Sequence, residues 1–208
     1  MIKDKEAGFV VIDLVKVIRD NKDFLSEIDG KIGDGDHGIN MNKGFTLCEE
    51  KLKGKEFGLS EGLSALSETL QEDIGGSMGP LYGAFFGEMA FAAKEVISPE
   101  VFGEMLGNGI AAIEDIGSAK RGDKTLLDTL LPAKEAYHAA LEAGKDFAEA
   151  LEALKKAALD GWKSTENMIA RIGRASRLGE RSKGVLDAGA TSCYLLLTSM
   201  AQSFQRLL

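Results

Sequence analysis

An all-α fold is predicted by three observations. Apolar residues recur at helical spacing along most of the chain, as in Phe9, Ile12, Val15 and Ile18. No segment sustains the alternation of a half-buried strand, and hairpin signals are missing. Ala, Leu, Glu and Lys are abundant while aromatic residues are only 7% of 208 residues, a composition that favours helices.

The elements follow in order. Residues about 7–24 read as an amphipathic helix, and 29–36 as a loop. A helix starts near His37 and runs through Met41, Phe45 and Cys48 to about Lys53, before the polar turn KGKEFG. Ser60, Ala65, Leu66 and Leu70 mark a helix that stops at Gly75-Gly76. The next starts near Ser77-Met78, with Pro80 in its first turn, where a missing N–H costs little. Ser98 and Pro99 form a cap-and-start signal for a helix to about Ile116. The loop GSAKRGDKT precedes a helix through Leu126, Leu130 and Tyr137, and Asp146 to Trp162 is an alanine-rich helix. RIGRASRLGERSKG reads as a long loop before the last helix, which carries VLDAGATS at its start. The count is about eight helices in one domain, residues 1–208, with no internal repeat or linker.

A net charge of −8 supplies no basic face for nucleic acid or an anionic membrane. It leaves room for a small phosphate ligand held by local groups. No run reaches the length of a membrane span and the N-terminus has no signal-peptide layout, so a cytoplasmic protein is expected. Cys48 and Cys193 sit in apolar helical patterns and read as reduced, buried residues, with a disulfide or metal pair as the alternative.

Glycine clusters break the helical pattern at 30–38, 75–83 and 173–189, next to Asp, His, Ser or Arg. Glycine is costly in helices, so these clusters suggest close backbone approach to a ligand. In the first, Asp29, Asp34 and Asp36 fall within eight residues. Such carboxylates repel unless a cation offsets them, and oxygen-only ligands select Mg²⁺ or Ca²⁺. An EF-hand starting at Asp34 would need glycine at position 6 and glutamate at position 12, which here are Ile39 and Phe45. Magnesium, completed by water and phosphate oxygens, fits better. A solvated acidic loop is the plain alternative.

Phosphate has several candidate partners. GSAKRGDKT is not a P-loop, because Asp123 separates Gly122 from Lys124 and no strand precedes it. GGSMGPLYG, with Ser77 and Met78 at a helix start, is a better cradle, although a plain helix–helix turn reads the same way. Arg174 offers a bidentate phosphate contact. Asp187 sits at a helix start, where a capping role is the simple reading. His37 is read either as a group acting on phosphate or metal-bound water, or as a cap of its own helix.

IDGKIGDGDHGINMNKGF, GGSMGPLYGAFF, GDKTLLDTLLPA and GVLDAGATS, in this order, resemble the L subunit of dihydroxyacetone kinase, a nucleotide-binding, phosphotransferring family. The matching stretches span residues 28–192. The resemblance implies an eight-helix antiparallel α-barrel with ADP or ATP and two Mg²⁺ at one end. It implies Asp29, Asp34 and Asp36 as metal ligands. Nucleotide contacts would come from His37, Gly38, Ile39, Asn40, Ser77 and Met78, from Gly117, Thr125 and Leu126, and from Arg174, Asp187, Ala188 and Gly189. Gly35 and Ala188 stand where many members carry Ala and Pro.

The implied reaction is phosphoryl transfer to dihydroxyacetone, or a similar short ketose, held on a K subunit. The implied donor is bound ADP rephosphorylated by a phosphotransferase-system M subunit, with ATP as an exchanging substrate the second mode. A fatty-acid kinase-like nucleotide domain and a non-catalytic subunit contacting a transcriptional regulator are the rival readings.

Overall fold

The structure is a computed structural model and describes all 208 residues. Nine α-helices account for most of the chain: α1 (Phe9–Asp20), α2 (Lys22–Ile32), α3 (His37–Leu52), α4 (Leu59–Asp73), α5 (Met78–Ala92), α6 (Pro99–Ile116), α7 (Leu127–Glu142), α8 (Phe147–Ser164) and α9 (Ala188–Gln205). Two strands of two residues each, β1 (Ile2–Lys3) and β2 (Val96–Ile97), pair antiparallel with Ile2 opposite Ile97.

Eight of the helices close a ring. α3 to α9 pack each on the next, α9 packs on α1, and α1 returns to α3. Ring neighbours run antiparallel: Trp162 near the end of α8 donates to Thr191 near the start of α9, while Gln205 at the end of α9 donates to the Ala148 carbonyl and to Glu152 in the first half of α8. The ring is filled by one cluster of 46 buried residues. Phe102, at its centre, makes edge-to-face contacts with Tyr137 and Phe204 at centroid distances of 5.3 and 5.0 Å.

The ninth helix is where the structure departs from the sequence reading. The helix expected over 7–24 stops at Asp20. Asn21 leaves helical geometry at φ −110°, ψ 11°, and its side-chain amide donates to the Val17 carbonyl at 2.8 Å. The chain then forms α2, whose Leu25, Ile28 and Ile32 are buried. Asp29 therefore stands on the last turn of a helix, and only 33–36 is loop. The stretch expected as a loop after 171 is likewise wound into 3₁₀ turns over Arg174–Ser182, kinked at Gly179.

The cap expected at Ser98 is present, and a capping box not read from the sequence starts α8. Ser98 Oγ accepts from the Val101 N–H at 3.2 Å with Pro99 in the first turn. Asp146 and Glu149 cap α8 reciprocally, at 2.9 and 3.0 Å. Both cysteines are free and buried, Cys48 on α3 and Cys193 on α9. No helix is long and apolar enough to cross a membrane.

Because ring neighbours alternate in direction, the N-termini of α3, α5, α7 and α9 gather at one end. The connections 33–36, 74–77, 117–126 and 165–187 lie there, and α2 packs at that end against α3 and α9. Every residue singled out from the sequence as a ligand belongs to these connections, to the last turn of α2, or to the first turn of a helix that they feed.

Candidate functional site at one end of the helical ring

Asp29, Asp34 and Asp36 each place a carboxylate oxygen within 4.8 Å of the others. Asp29 reaches the group from the end of α2, and the other two from the connection to α3. Two glycines make this corner possible. Gly35 turns at φ +77°, a left-handed conformation that side chains rarely adopt. Gly38 lets α3 press on α2: a Cβ there would collide with the Lys22 carbonyl oxygen and lie 2.6 Å from Ser26 Oγ. The first N–H of α3, that of His37, points at Asp29 Oδ2 at 3.3 Å.

The donor set fits a hard cation. All three ligands are carboxylate oxygens, and their crowding is felt at Asp36, whose carboxyl is raised by partial burial and then by the charges of Asp34 and Asp29. Arg174, exposed on the 3₁₀ segment, lays its guanidinium on Asp34. That contact brings the phosphate-binding candidate from 165–187 onto the metal-binding candidate from 33–36.

Behind the carboxylates a buried network ties three helix starts together. His37 Nε2 lies 2.9 Å from Ser192 Oγ, and Tyr82 Oη lies 2.7 Å from the same hydroxyl. Tyr82 and Ser192 both reach the Gly189 carbonyl, at 3.3 and 3.1 Å. Burial holds His37 down at about 4 despite the nearby Asp29 charge. The imidazole is thus neutral near pH 7 and turned inward, so its contribution at the rim is its backbone N–H rather than a cationic ring.

The remaining candidates fall around this core. Gly38 is buried, while Ile39 and Asn40 stand at the rim of the first turn of α3, Ile39 exposed. Ser77 is exposed ahead of Met78 at the start of α5 and does not cap it through its side chain. Gly117 ends α6 beside Leu81 of α5. Leu126 lies against Gly189. Thr125 donates its N–H to Asp128 at 2.8 Å, so the connection into α7 is held by a buried carboxylate. Asp187 caps α9, accepting from the Ala190 N–H at 2.7 Å. Loss of solvation raises its carboxyl to about 7, with Lys124 opposing. Ala188 is buried behind that cap. No direct contact links Ser77, Met78 or Gly117 to the three aspartates; they share the same end of the ring.

Sequence reasoning missed Tyr82, Ser192, Lys124 and Asp128. All four sit inside stretches already singled out, GGSMGPLYG, LDAGATS and GDKTLLD.

Residues 31–202 match the DAK2 domain family. The chain belongs to this family. The two DhaL relatives below match over nearly their whole length. The chain is 39% identical over 184 residues to the Escherichia coli PEP-dependent dihydroxyacetone kinase, ADP-binding subunit DhaL, covering 86% of this chain and 87% of the relative. It is 36% identical over 206 residues to the ADP-binding subunit DhaL of Listeria innocua PEP-dependent dihydroxyacetone kinase 2, covering 96% and 94%. The L-erythrulose kinase of Pectobacterium atrosepticum matches at 29% identity, over 95% of this chain and 35% of that one. The crystal structure of C. freundii dihydroxyacetone kinase superposes with a TM-score of 0.74 at 24% identity, over 95% of this chain and 34% of that one. It supports the fold; the family rests on the sequence matches.

Proposed function

We propose that residues 1–208 form one nucleotide-binding domain, the L-type subunit of a cytoplasmic dihydroxyacetone kinase. The observation that carries this reading is the convergence of Asp29, Asp34 and Asp36 at the end of the ring where four helix N-termini gather. The relatives named as ADP-binding subunits, 36–39% identical over most of both chains, supply the substrate class.

In this reading Asp29, Asp34 and Asp36 hold Mg²⁺, two ions in the arrangement the family resemblance implies. The metal, when bound, neutralises phosphate charge during transfer. The chain's own residues bind and orient. N–H groups of the first turns of α3 (Gly38, Ile39, Asn40) and α5 (Met78), with the Ser77 hydroxyl, are donors for phosphate oxygens. Arg174 exchanges Asp34 for phosphate, to which its planar fork is suited. Gly117, Thr125, Leu126 and the Asp187–Ala188–Gly189 turn form the nucleoside side. The acceptor hydroxyl oxygen of the ketose, held on a K subunit, forms a bond to phosphorus as the bond to the ADP oxygen breaks, and its proton passes to a base outside this chain. Contribution from this chain is positional and electrostatic, with no side chain assigned as base.

Donor identity follows relatives that match at 38–39% identity. The Escherichia coli and Lactococcus lactis proteins are named as PEP-dependent and PTS-dependent. Bound ADP, rephosphorylated in place by an M subunit of the phosphotransferase system, is therefore favoured over exchanging ATP. The test is whether purified protein retains ADP through gel filtration, and whether it phosphorylates dihydroxyacetone when K and M subunits and phosphoenolpyruvate are supplied. ADP that washes out, with activity driven by ATP alone, would replace this donor assignment. Failure to capture a K-type subunit in a pull-down would favour the fatty-acid kinase-like reading, and capture of a transcriptional regulator alone would favour the non-catalytic one.

A further inference from the structure

Lys124 is the one lysine in the buried core, 1% exposed, and it adopts φ +64°, the sole positive φ outside glycine. A long charged side chain in that position needs compensation. It is complete: Nζ donates to the carbonyls of Met168 at 3.2 Å, Ser182 at 2.5 Å and Val185 at 2.6 Å. The three protons of an ammonium thus meet three backbone acceptors, all from the 165–187 connection. Opposite charge nearby comes from Asp187 and Glu166.

That connection has little regular structure of its own. Between α8 and α9 only short 3₁₀ turns form, and glycines 173, 179 and 184 all sit at positive φ. Of residues 168–185 only Ala170 and Ser182 are buried. Apart from the Arg174–Asp34 ion pair and the packing of Arg174–Ser182 on α2, the other ties are few: Arg171 N–H to the Asp123 carbonyl at 3.1 Å, Gly184 N–H to the Glu166 carbonyl at 2.7 Å, and Ala170 N–H to Ser182 Oγ at 2.9 Å. Without the ammonium, the three carbonyls would converge with no donor between them.

We propose that Lys124 is a positioning residue, an internal cation that clamps 168–185 to the 117–126 connection and so holds Arg174 over the carboxylate site. The proposal deepens the nucleotide-binding reading. The clamp joins two connections that each carry proposed nucleotide contacts, Thr125 and Leu126 on one side and Arg174 and Asp187 on the other. The lysine touches no ligand itself.

The test uses the full chain and Lys124→Met, which keeps the length of the side chain and removes its charge and donors. Trypsin reads the clamp directly, because Arg171, Arg174, Arg177, Arg181 and Lys183 all lie in the clamped segment and none is buried. The variant is expected to be cut within 171–183 at least tenfold faster than wild type, and to bind Mg·ADP at least tenfold more weakly by calorimetry. A role confined to stability would lower the melting midpoint and leave both readouts of the folded protein within twofold; that result overturns the proposal. If the variant does not fold, amine acylation of wild type followed by mass spectrometry decides. Lys124 should be the slowest lysine, and Mg·ADP should slow its acylation and cleavage at Arg177 together. Acylation at the rate of surface lysines, or slowing of one without the other, overturns it. Wild type that binds no Mg·ADP would sink the nucleotide reading alone, since ligand-free cleavage of the variant still judges the clamp.

Discussion

Replacing Asp36 by Asn should change stability in opposite directions with and without ligand. In the ligand-free protein the Asp36 carboxylate faces Asp34 and Asp29, with oxygens within 4.8 Å. At that separation one pair of unit charges repels by about 1 kcal/mol at the dielectric of water. Two pairs give about 2 kcal/mol, reduced by salt and by Arg174 on Asp34. Asn keeps the shape, removes both pairs, and also relieves the partial burial of the charge. Ligand-free D36N should therefore gain about 1 kcal/mol, a rise in melting temperature of about 2–4 °C for a chain of this size. Wild type at one hundred times its Kd for Mg·ADP gains about 2.7 kcal/mol from binding, which a variant short of one carboxylate ligand should largely lose. The curves should cross: D36N above wild type in EDTA, below it in Mg·ADP. Thermal melts in both conditions, at low salt and at 0.5 M salt, measure this. A variant less stable than wild type in EDTA, or one that keeps the full Mg·ADP shift, would refute the argument that the three carboxylates are a repulsive set held for a cation.

Asp187→Asn should leave α9 capped, since Asn caps as well as Asp, and should flatten the pH dependence of ligand-free stability. Burial holds the wild-type carboxyl near 7 in the fold, against 3.8 for an unperturbed Asp. Its neutral form is therefore favoured by folding, stability is fully present below about 4 and is lost as pH rises through 7, by up to about 4 kcal/mol at 1.36 kcal/mol per unit. Denaturant melts should show D187N level with wild type at pH 4 and more stable at pH 8; equal curves at both would remove the burial penalty from the account. Gly38→Ala drives a methyl into the Lys22 carbonyl and should cost about 1–3 kcal/mol by overpacking, while weakening Mg·ADP because Asp29 and the His37 N–H separate; unchanged urea midpoint and affinity would contradict the close approach. Arg174→Met breaks an exposed ion pair and should change stability by less than about 1 kcal/mol, yet reduce Mg·ADP affinity, which calorimetry would show.

The helices were readable where capping chemistry is local. Ser98 and Asp187 each bond to an N–H within three residues, so the sequence carries the whole interaction. α2 was not readable. Its inward face has only Leu25, Ile28 and Ile32, Gly30 interrupts it, and it owes its helical form to packing on α3 and α9. That error placed Asp29 on a loop but left it among the right partners, because eight residues separate it from His37 either way. Lys124 was hidden for a different reason. Its acceptors are backbone carbonyls 44 to 61 residues away, and carbonyls leave no side-chain signature. Tyr82 and Ser192 were passed over because hydroxyls in a glycine-rich turn read as packing, while their hydrogen bonds cross from α5 to α9.

An acidic chain can still present an anion site, because the relevant charge is local. Net charge is −8, yet the alternation of directions around the ring sends four positive helix ends to one face. Segment 171–183 adds Arg171, Arg174, Arg177, Arg181 and Lys183 against Glu180 alone. The same face carries three carboxylates, which by themselves would repel a nucleotide. The arrangement is coherent only if cation and phosphate enter together. Without them, Arg174 rests on Asp34 and the two opposite charges mask each other. A cation taken by the aspartates would weaken that contact and leave the guanidinium for phosphate, so metal and nucleotide each lower the cost of binding the other. Lys124 keeps the arginine within reach of both positions, which is why a residue that touches neither ligand belongs to the site's mechanism.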